Sequence, residues 1–356
     1  MQISGKAVNS LRRTQSYSLW PKPSILCRDY NKFRYVSTAS ISRSPSVIHR
    51  HTQSNFALPK CNQDKHMTLS AIQYPNDSCI FPLPNGNILS YARVGLTKEV
   101  GQVWVFFHGT PGCRVLPSRI VNYAENHRFR IIAIDRPGYG YSTVHDRGML
   151  GFMQDVECLL NYLGIQEFKV YGVSGGGPYA LAAAYYFAKS RLLKTLVVCG
   201  VPHPDFGHTS KILLWNISLW FRTWASFLVP GVNFNGLLWK DIVSLKDDPK
   251  KVQIAAMRSR EMRRQGSKGY NNDWRVSRRP WGFDLQNMDA NPIMWYHGSL
   301  DLNTAADAAR ATANMANRHR RIVQFQEIPG LDHYTLQGKM WAESVAWLKK
   351  PLSIRK

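Results

Sequence analysis

The sequence predicts an α/β fold: a mainly parallel sheet flanked by helices, with a helical cap inserted in it. Three observations carry that prediction. Short continuous apolar runs, the mark of strands buried on both faces, alternate with segments of helical pattern. The alternation breaks once, between Val201 and Asn291, near the carboxyl edge of the sheet where open α/β folds bind ligands. The chain is also 356 residues long, 44% hydrophobic and without internal repeat, which fits one large domain with an appendage.

Taken in order, Cys79 to Pro82 and Ile88 to Val94 flank Pro84-Asn85-Gly86-Asn87, a hairpin signal because the Asn-Gly step accepts positive φ. Val103 to Phe107, Arg130 to Ile134, Phe168 to Val173, Leu193 to Cys199, Ile293 to Tyr296 and Arg321 to Gln326 are the expected buried strands. Helices are expected at Pro117 to Asn126, Gly148 to Leu163, Gly177 to Ala188, Thr304 to Asn317 and Thr335 to Lys349. The chain then divides into a targeting segment at 1–66, a core built from 67–200 and 292–356, and a helical cap at 201–291.

Residues 1–66 carry eleven lysines and arginines against Asp29 and Asp64, are rich in serine and lack the apolar centre of a secretory signal. That is the composition of a mitochondrial transit peptide, whose positive charge lets the membrane potential draw it inward. Arg34-Tyr35-Val36-Ser37 resembles the processing site of fungal mitochondrial precursors, cut one residue beyond an arginine. A mitochondrial location is therefore expected; the alternative is a disordered basic tail.

Over the whole chain 46 lysines and arginines face 23 acids, a formal charge of +23, which points to an anionic surface, an anionic ligand or a targeting segment. No nucleic-acid-binding motif accompanies the charge, so no nucleic-acid partner is expected. The six cysteines include no CxxC pair, which speaks against a zinc site or disulfide framework and for a reducing compartment. No cofactor is expected. The greasiest run, Ile212 to Val229, is interrupted by Arg222 and falls short of a spanning helix. Its Trp215, Trp220, Phe221, Trp224 and Phe227 suit the core of the cap, an acyl tunnel or a membrane contact. Between Lys250 and Pro280 ten basic residues face only Glu261 and Asp273. That stretch is either a solvated face or a patch for peripheral contact with anionic membrane or substrate.

The chemistry gathers around two glycine-rich turns. Gly172-Val173-Ser174-Gly175-Gly176 follows an apolar strand and precedes a helix, the setting of a G-x-S-x-G elbow that leaves the serine hydroxyl exposed. Gly175, at the positive end of that helix, can offer its N–H to a developing oxyanion. Phe107-His108-Gly109-Thr110-Pro111-Gly112 ends the third strand, where such a fold finds its second oxyanion donor. Thr110 is the expected donor, since Pro111 has no N–H and its ring restrains Thr110 toward extended backbone. Asp135-Arg136-Pro137-Gly138-Tyr139-Gly140-Tyr141-Ser142 carries an acid and an arginine but reads as a structural turn tied to neighbouring backbone.

Those segments, with His297-Gly298-Ser299-Leu300-Asp301 and Pro329-Gly330-Leu331-Asp332-His333, resemble the serial motifs of the α/β-hydrolase superfamily, including its fungal mitochondrial members. The resemblance implies an α/β-hydrolase fold, a serine nucleophile, an acid after the seventh strand and a histidine after the eighth. Here those positions fall on Ser174, Asp301 and His333, in the chain order Ser, Asp, His. A neutral serine is a poor nucleophile, so His333 must take its proton while Asp301 orients the imidazole. His297, His203 and His208 compete as bases, and Asp205 competes as the acid. Two departures stand out: Ala305 replaces a frequent proline, and Asp332 replaces the small residue before the histidine, where its charge would favour the imidazolium.

The expected function is a serine hydrolase that cleaves an ester or thioester of a small-molecule acyl substrate through an acyl-enzyme. An acyltransferase would use the same triad. A proline-iminopeptidase-like peptidase usually carries HGGPG and must bind an ammonium, for which the basic stretch is a poor host. Epoxide hydrolases and dehalogenases place an aspartate where Ser174 stands. The rival of another class is a non-catalytic α/β-hydrolase scaffold, which a degenerate triad would mark.

Overall fold

The computed structural model describes residues 78–95, 102–187, 190–206 and 249–350. The expected targeting segment, the run Ile212 to Val229 and His208 lie outside them.

Eight strands form one sheet in the order β1-β2-β4-β3-β5-β6-β7-β8. They are β1 (Ser78–Pro82), β2 (Ile88–Gly95), β3 (Val103–Phe107), β4 (Arg130–Ile134), β5 (Phe168–Val173), β6 (Leu192–Val198), β7 (Ile293–Gly298) and β8 (Val323–Ile328). The hairpin β1-β2 is antiparallel and joins β4 antiparallel; from β4 to β8 every pairing is parallel. All five residues of β3 are buried, as its unbroken apolar run requires at the centre of a covered sheet.

The helices are α1 (Ser118–Asn126), α2 (Gly148–Tyr162), α3 (Gly177–Phe187), α4 (Pro249–Met262), α5 (Lys268–Ser277), α6 (Ala306–Ala316), α7 (His333–Lys339) and α8 (Trp341–Lys349). Of these, α4 and α5 occupy the described part of the break between β6 and β7. Trp104 stacks on Phe129 at 3.9 Å between ring centroids, inside a core that also takes Tyr171, Leu196, Met294 and Trp341. Each such side chain, fully buried, contributes about 1.5–3 kcal/mol.

The strand order reverses at β3, whose neighbours β4 and β5 carry the chain to opposite sides. A crevice therefore opens beyond the carboxyl ends of β3 and β5. His108-Gly109-Thr110 leaves one of those ends and Ser174 the other.

Several expected bounds shift by one or two residues, and two of the differences have a cause in named side chains. The single helix expected from Thr335 to Lys349 is two, α7 and α8, meeting at Met340. It begins earlier because Asp332 and Thr335 form a capping box around the first turn, and Gly338 weakens the helix just before the break. The last strand starts at Val323 rather than Arg321, because Asn317 Oδ1 accepts the N–H groups of Ile322 and Val323.

Candidate active site

Ser174 has φ of +51°, a left-handed backbone rare for a residue with a side chain. The glycines around it make the turn feasible. A Cβ on Gly172 would meet Gly176 O at 2.5 Å, and one on Gly176 would meet Phe107 O at 2.2 Å. The turn is thus pressed against both α3 and the end of β3, and Val201 N–H holds the Ser174 carbonyl at 3.1 Å.

His333, the first residue of α7 and 5% exposed, places Nε2 3.0 Å from Ser174 Oγ. Its Nδ1 lies 2.7 Å from Asp301 Oδ2. Asp301 sits in a tight turn after β7, where Oδ1 accepts the N–H groups of Asn303 and Thr304 at 2.8 Å each. The Thr304 hydroxyl donates to Oδ2 at 2.9 Å. Burial opposes ionisation of Asp301, but these bonds and His333 outweigh it and hold the carboxyl below its ordinary range. A carboxylate fixed by so many donors has one orientation left.

Burial opposes charge on His333 as well; the Cys199 side chain and the Asp301 carboxylate more than offset it and raise the imidazole above its ordinary range. Cys199, at the end of β6 with φ of +44°, is fully buried. Its sulfur, a carboxylate oxygen of Asp301 and a ring nitrogen of His333 lie within 4.8 Å of one another. Neither Cys199 nor Thr304 was expected at the site from sequence. Thr304 follows Asp301 by three residues, a spacing at which an aspartate commonly bonds to nearby backbone, so the signal was there; nothing local marks Cys199.

The other half of the site faces Ser174 from the β3 exit. A Cβ on Gly109 would lie 3.2 Å from Ser174 Cβ, and one on Gly175 would come within 2.0 Å of Thr110 Oγ1 and 3.2 Å of Thr110 N. The Thr110 and Gly175 backbones therefore approach too closely for any side chain to stand between them. The Thr110–Pro111 bond is cis. His108 is buried, and burial and Arg136 keep its pKa well below the ordinary value. The neutral ring donates from Nδ1 to Gly109 O at 2.8 Å and accepts Arg136 N–H on Nε2 at 3.1 Å.

The turn at 135–142 does tie backbone together. Asp135 accepts Arg114 N–H at 2.6 Å and the Ser90 hydroxyl at 2.7 Å. Arg136 goes further than a turn residue and reaches the β3 exit, donating to Gly109 O at 3.0 Å and to Thr110 Oγ1 at 2.9 Å.

The competing histidines and acid have other partners. His297 accepts Trp295 Nε1–H on Nδ1 at 3.2 Å and donates from Nε2 to Thr304 O at 2.6 Å, which braces the Asp301 turn. His203 pairs with Asp205, whose side chain is 65% exposed. Asp332 spends its carboxylate on the N–H groups of Tyr334 and Thr335 as the cap of α7. The rise in the His333 pKa comes chiefly from Cys199 and Asp301. Ala305, at φ −60° and ψ 133°, has a backbone that proline would also adopt.

Within the basic stretch, Arg264 pairs with Glu261, Arg275 with Asp146, and Arg278 lies 3.5 Å over the Trp274 ring. Arg258 donates to Val115 O and Arg263 to Ser259 O. Arg260, Lys268 and Arg279 are exposed. Glu261 is enclosed by Arg114 and Arg264, and Asp273 by Arg136.

Residues 103–335 match the family model described as alpha/beta hydrolase fold. Among curated proteins, a proline iminopeptidase of Arabidopsis thaliana is 35% identical over 89 residues, 24% of this chain and 23% of that protein. One of Xanthomonas citri is 32% identical over 90 residues, again 24% of this chain and 28% of that protein. The chain thus matches about a quarter of the length of these relatives. Among solved structures, an esterase from Rhodococcus sp. ECU1013 has a TM-score of 0.55 at 18% identity, covering 78% of this chain and 100% of the esterase. An enol-lactonase from Burkholderia xenovorans LB400 has a TM-score of 0.53 at 16% identity, covering 76% of this chain and 98% of the lactonase. Both likenesses are of fold.

Proposed function

Since the chain belongs to the alpha/beta hydrolase fold family, we propose that it is a serine hydrolase that cleaves a carboxylic ester or thioester through an acyl-enzyme. The observation that carries this reading is the unbroken relay from Asp301 through His333 to Ser174, at 2.7 and 3.0 Å. His333 takes the Ser174 proton on Nε2 as Oγ attacks the acyl carbon, and Asp301 stabilises the resulting imidazolium. The tetrahedral oxyanion is received by the N–H groups of Thr110 and Gly175. His333 returns its proton to the leaving alcohol or thiol, and water then repeats the sequence on the acyl-enzyme. Acyl transfer differs only in that an alcohol replaces this water.

The iminopeptidase relatives favour a second reading, removal of an N-terminal residue from a peptide. Such a substrate brings an ammonium, which needs an acid to face it. Both acids of the α4–α5 stretch are already enclosed by arginines, so esters remain the better supported substrates. A panel of p-nitrophenyl esters graded by chain length, run beside prolyl-p-nitroanilide, tests the choice. Ester turnover without anilide turnover is expected; the reverse would favour the peptidase.

A further inference from the structure

We propose that Asp273 is a positioning residue for the oxyanion-binding loop, so that stabilisation of the tetrahedral intermediate depends on how α5 is seated. The proposal rests on the serine-hydrolase reading above. Asp273 belongs to α5, lies 163 residues from Thr110 in sequence and is 4% exposed. Its Oδ2 accepts the Thr110 hydroxyl at 2.6 Å and the Tyr139 hydroxyl at 2.8 Å, and its Oδ1 accepts Arg136 Nη1–H at 2.5 Å.

Arg136 spreads that anchorage over both halves of the pocket. Nη2 donates to Gly109 O at 3.0 Å and to Thr110 Oγ1 at 2.9 Å, while Nη1 also reaches Gly175 O at 3.2 Å. The guanidinium lies 4.9 Å from the Tyr179 ring centroid and 5.5 Å from that of Tyr139, which limits its movement. The Thr110 hydroxyl donates to the carboxylate and accepts from the guanidinium, so its rotor is fixed as well. Each residue that presents an N–H to the oxyanion is thus tied to one guanidinium, and that guanidinium to one carboxylate from α5.

The seat of α5 is itself closely defined. A Cβ on Gly138 would come within 2.7 Å of Gly269 Cα, and one on Gly269 within 2.7 Å of the Tyr139 ring. Helix and turn therefore meet backbone to backbone. Oxyanion donors act by being in place before the charge forms, and a displacement of about 1 Å in such a group can cost about 10²-fold in rate. A carboxylate that holds Arg136 and Thr110 together is therefore worth more to the transition state than to bound substrate.

The test uses the full chain and four variants: Asp273→Asn, Thr110→Val, which keeps the N–H but removes the hydroxyl, Thr110→Ser, which keeps both, and the double variant Thr110→Val/Asp273→Asn. Each is checked for folding by thermal melting and for Ser174 reactivity by fluorophosphonate labelling. The readouts are kcat and KM on an ester, and the affinity of a boronic acid that forms a tetrahedral adduct with the serine. Thr110→Val and Asp273→Asn should each lower kcat by about 10- to 100-fold, less than or near the loss of a whole oxyanion donor, with KM within about threefold. Boronate affinity should fall in parallel. Thr110→Ser should restore most of the activity that Thr110→Val loses, and the double variant Thr110→Val/Asp273→Asn should be no worse than the poorer single one. Folded variants with kcat and boronate affinity within about threefold of the parent, or additive losses in the double variant, would overturn the proposal. Should the unmodified protein resist labelling at Ser174, the hydrolase reading itself fails and this proposal with it; labelling with unaffected variants removes this proposal alone.

Discussion

Asp301 Oδ2 and His333 Nδ1 lie 2.7 Å apart, joining the turn after β7 to the first residue of α7. The acid was the hardest member of the site to choose from sequence, because Asp205 also follows a buried strand. Asp301→Asn should lower kcat by about 10⁴-fold, since the orienting acid then selects the wrong tautomer. Asp205→Asn should stay within about tenfold of the parent, its carboxylate being exposed and paired with His203. Steady-state kinetics on both variants decide between them, and a crippled Asp205→Asn would move the acid to the β6 exit.

His333 must be neutral to accept the serine proton, so kcat/KM declines as pH falls through the imidazole pKa of the free enzyme. Cys199 and Asp301 raise that pKa above the ordinary 6.5, against the effect of burial. A raised pKa keeps the ring protonated to higher pH, so the acid limb of the pH profile should lie above 6.5. Replacing Asp301 by Asn should move it downward. A limb at or below 6.5 in the parent would contradict the electrostatics described for the site.

Which parts of this site could be read from sequence follows from how each residue works. Ser174 was legible because its turn needs glycines at adjoining positions, and Asp301 and His333 because each lies in the connection that follows a strand. Asp273 was not, because its role arises only when α5 packs on the 135–142 turn and brings it to Thr110. That Arg136 ties to backbone was legible, but which backbone depended on the fold. The strand centres were legible as continuous apolar runs; the start of β8 and the start of α7 were set by the side chains of Asn317, Asp332 and Thr335 acting on backbone groups.

The mitochondrial address is proposed to be cleaved on import within residues 1–66, leaving a mature chain that begins between about residues 35 and 65, because the acid-poor composition runs that far. N-terminal sequencing of the protein from purified mitochondria checks this. An intact Met1 together with a cytosolic distribution would refute both address and processing.

The basic stretch is proposed to meet an anionic membrane surface, and the exposed Lys268 and Arg279 are the residues to reverse. Arg264 is unsuitable because it holds Glu261. Lys268→Glu/Arg279→Glu should weaken co-sedimentation with phosphatidylserine vesicles, and added salt should do the same to the parent by screening. Equal binding to neutral vesicles, or no response to the reversal, would return the stretch to a solvated face.

The central claim is that Ser174 is the nucleophile. Its most direct test is labelling of the purified protein with a fluorophosphonate, followed by mass spectrometry of the peptide that carries the adduct. One phosphonylated residue, Ser174, is expected, with complete loss of both labelling and ester turnover in a folded Ser174→Ala variant. Labelling of another serine, or turnover that survives in Ser174→Ala, would contradict it.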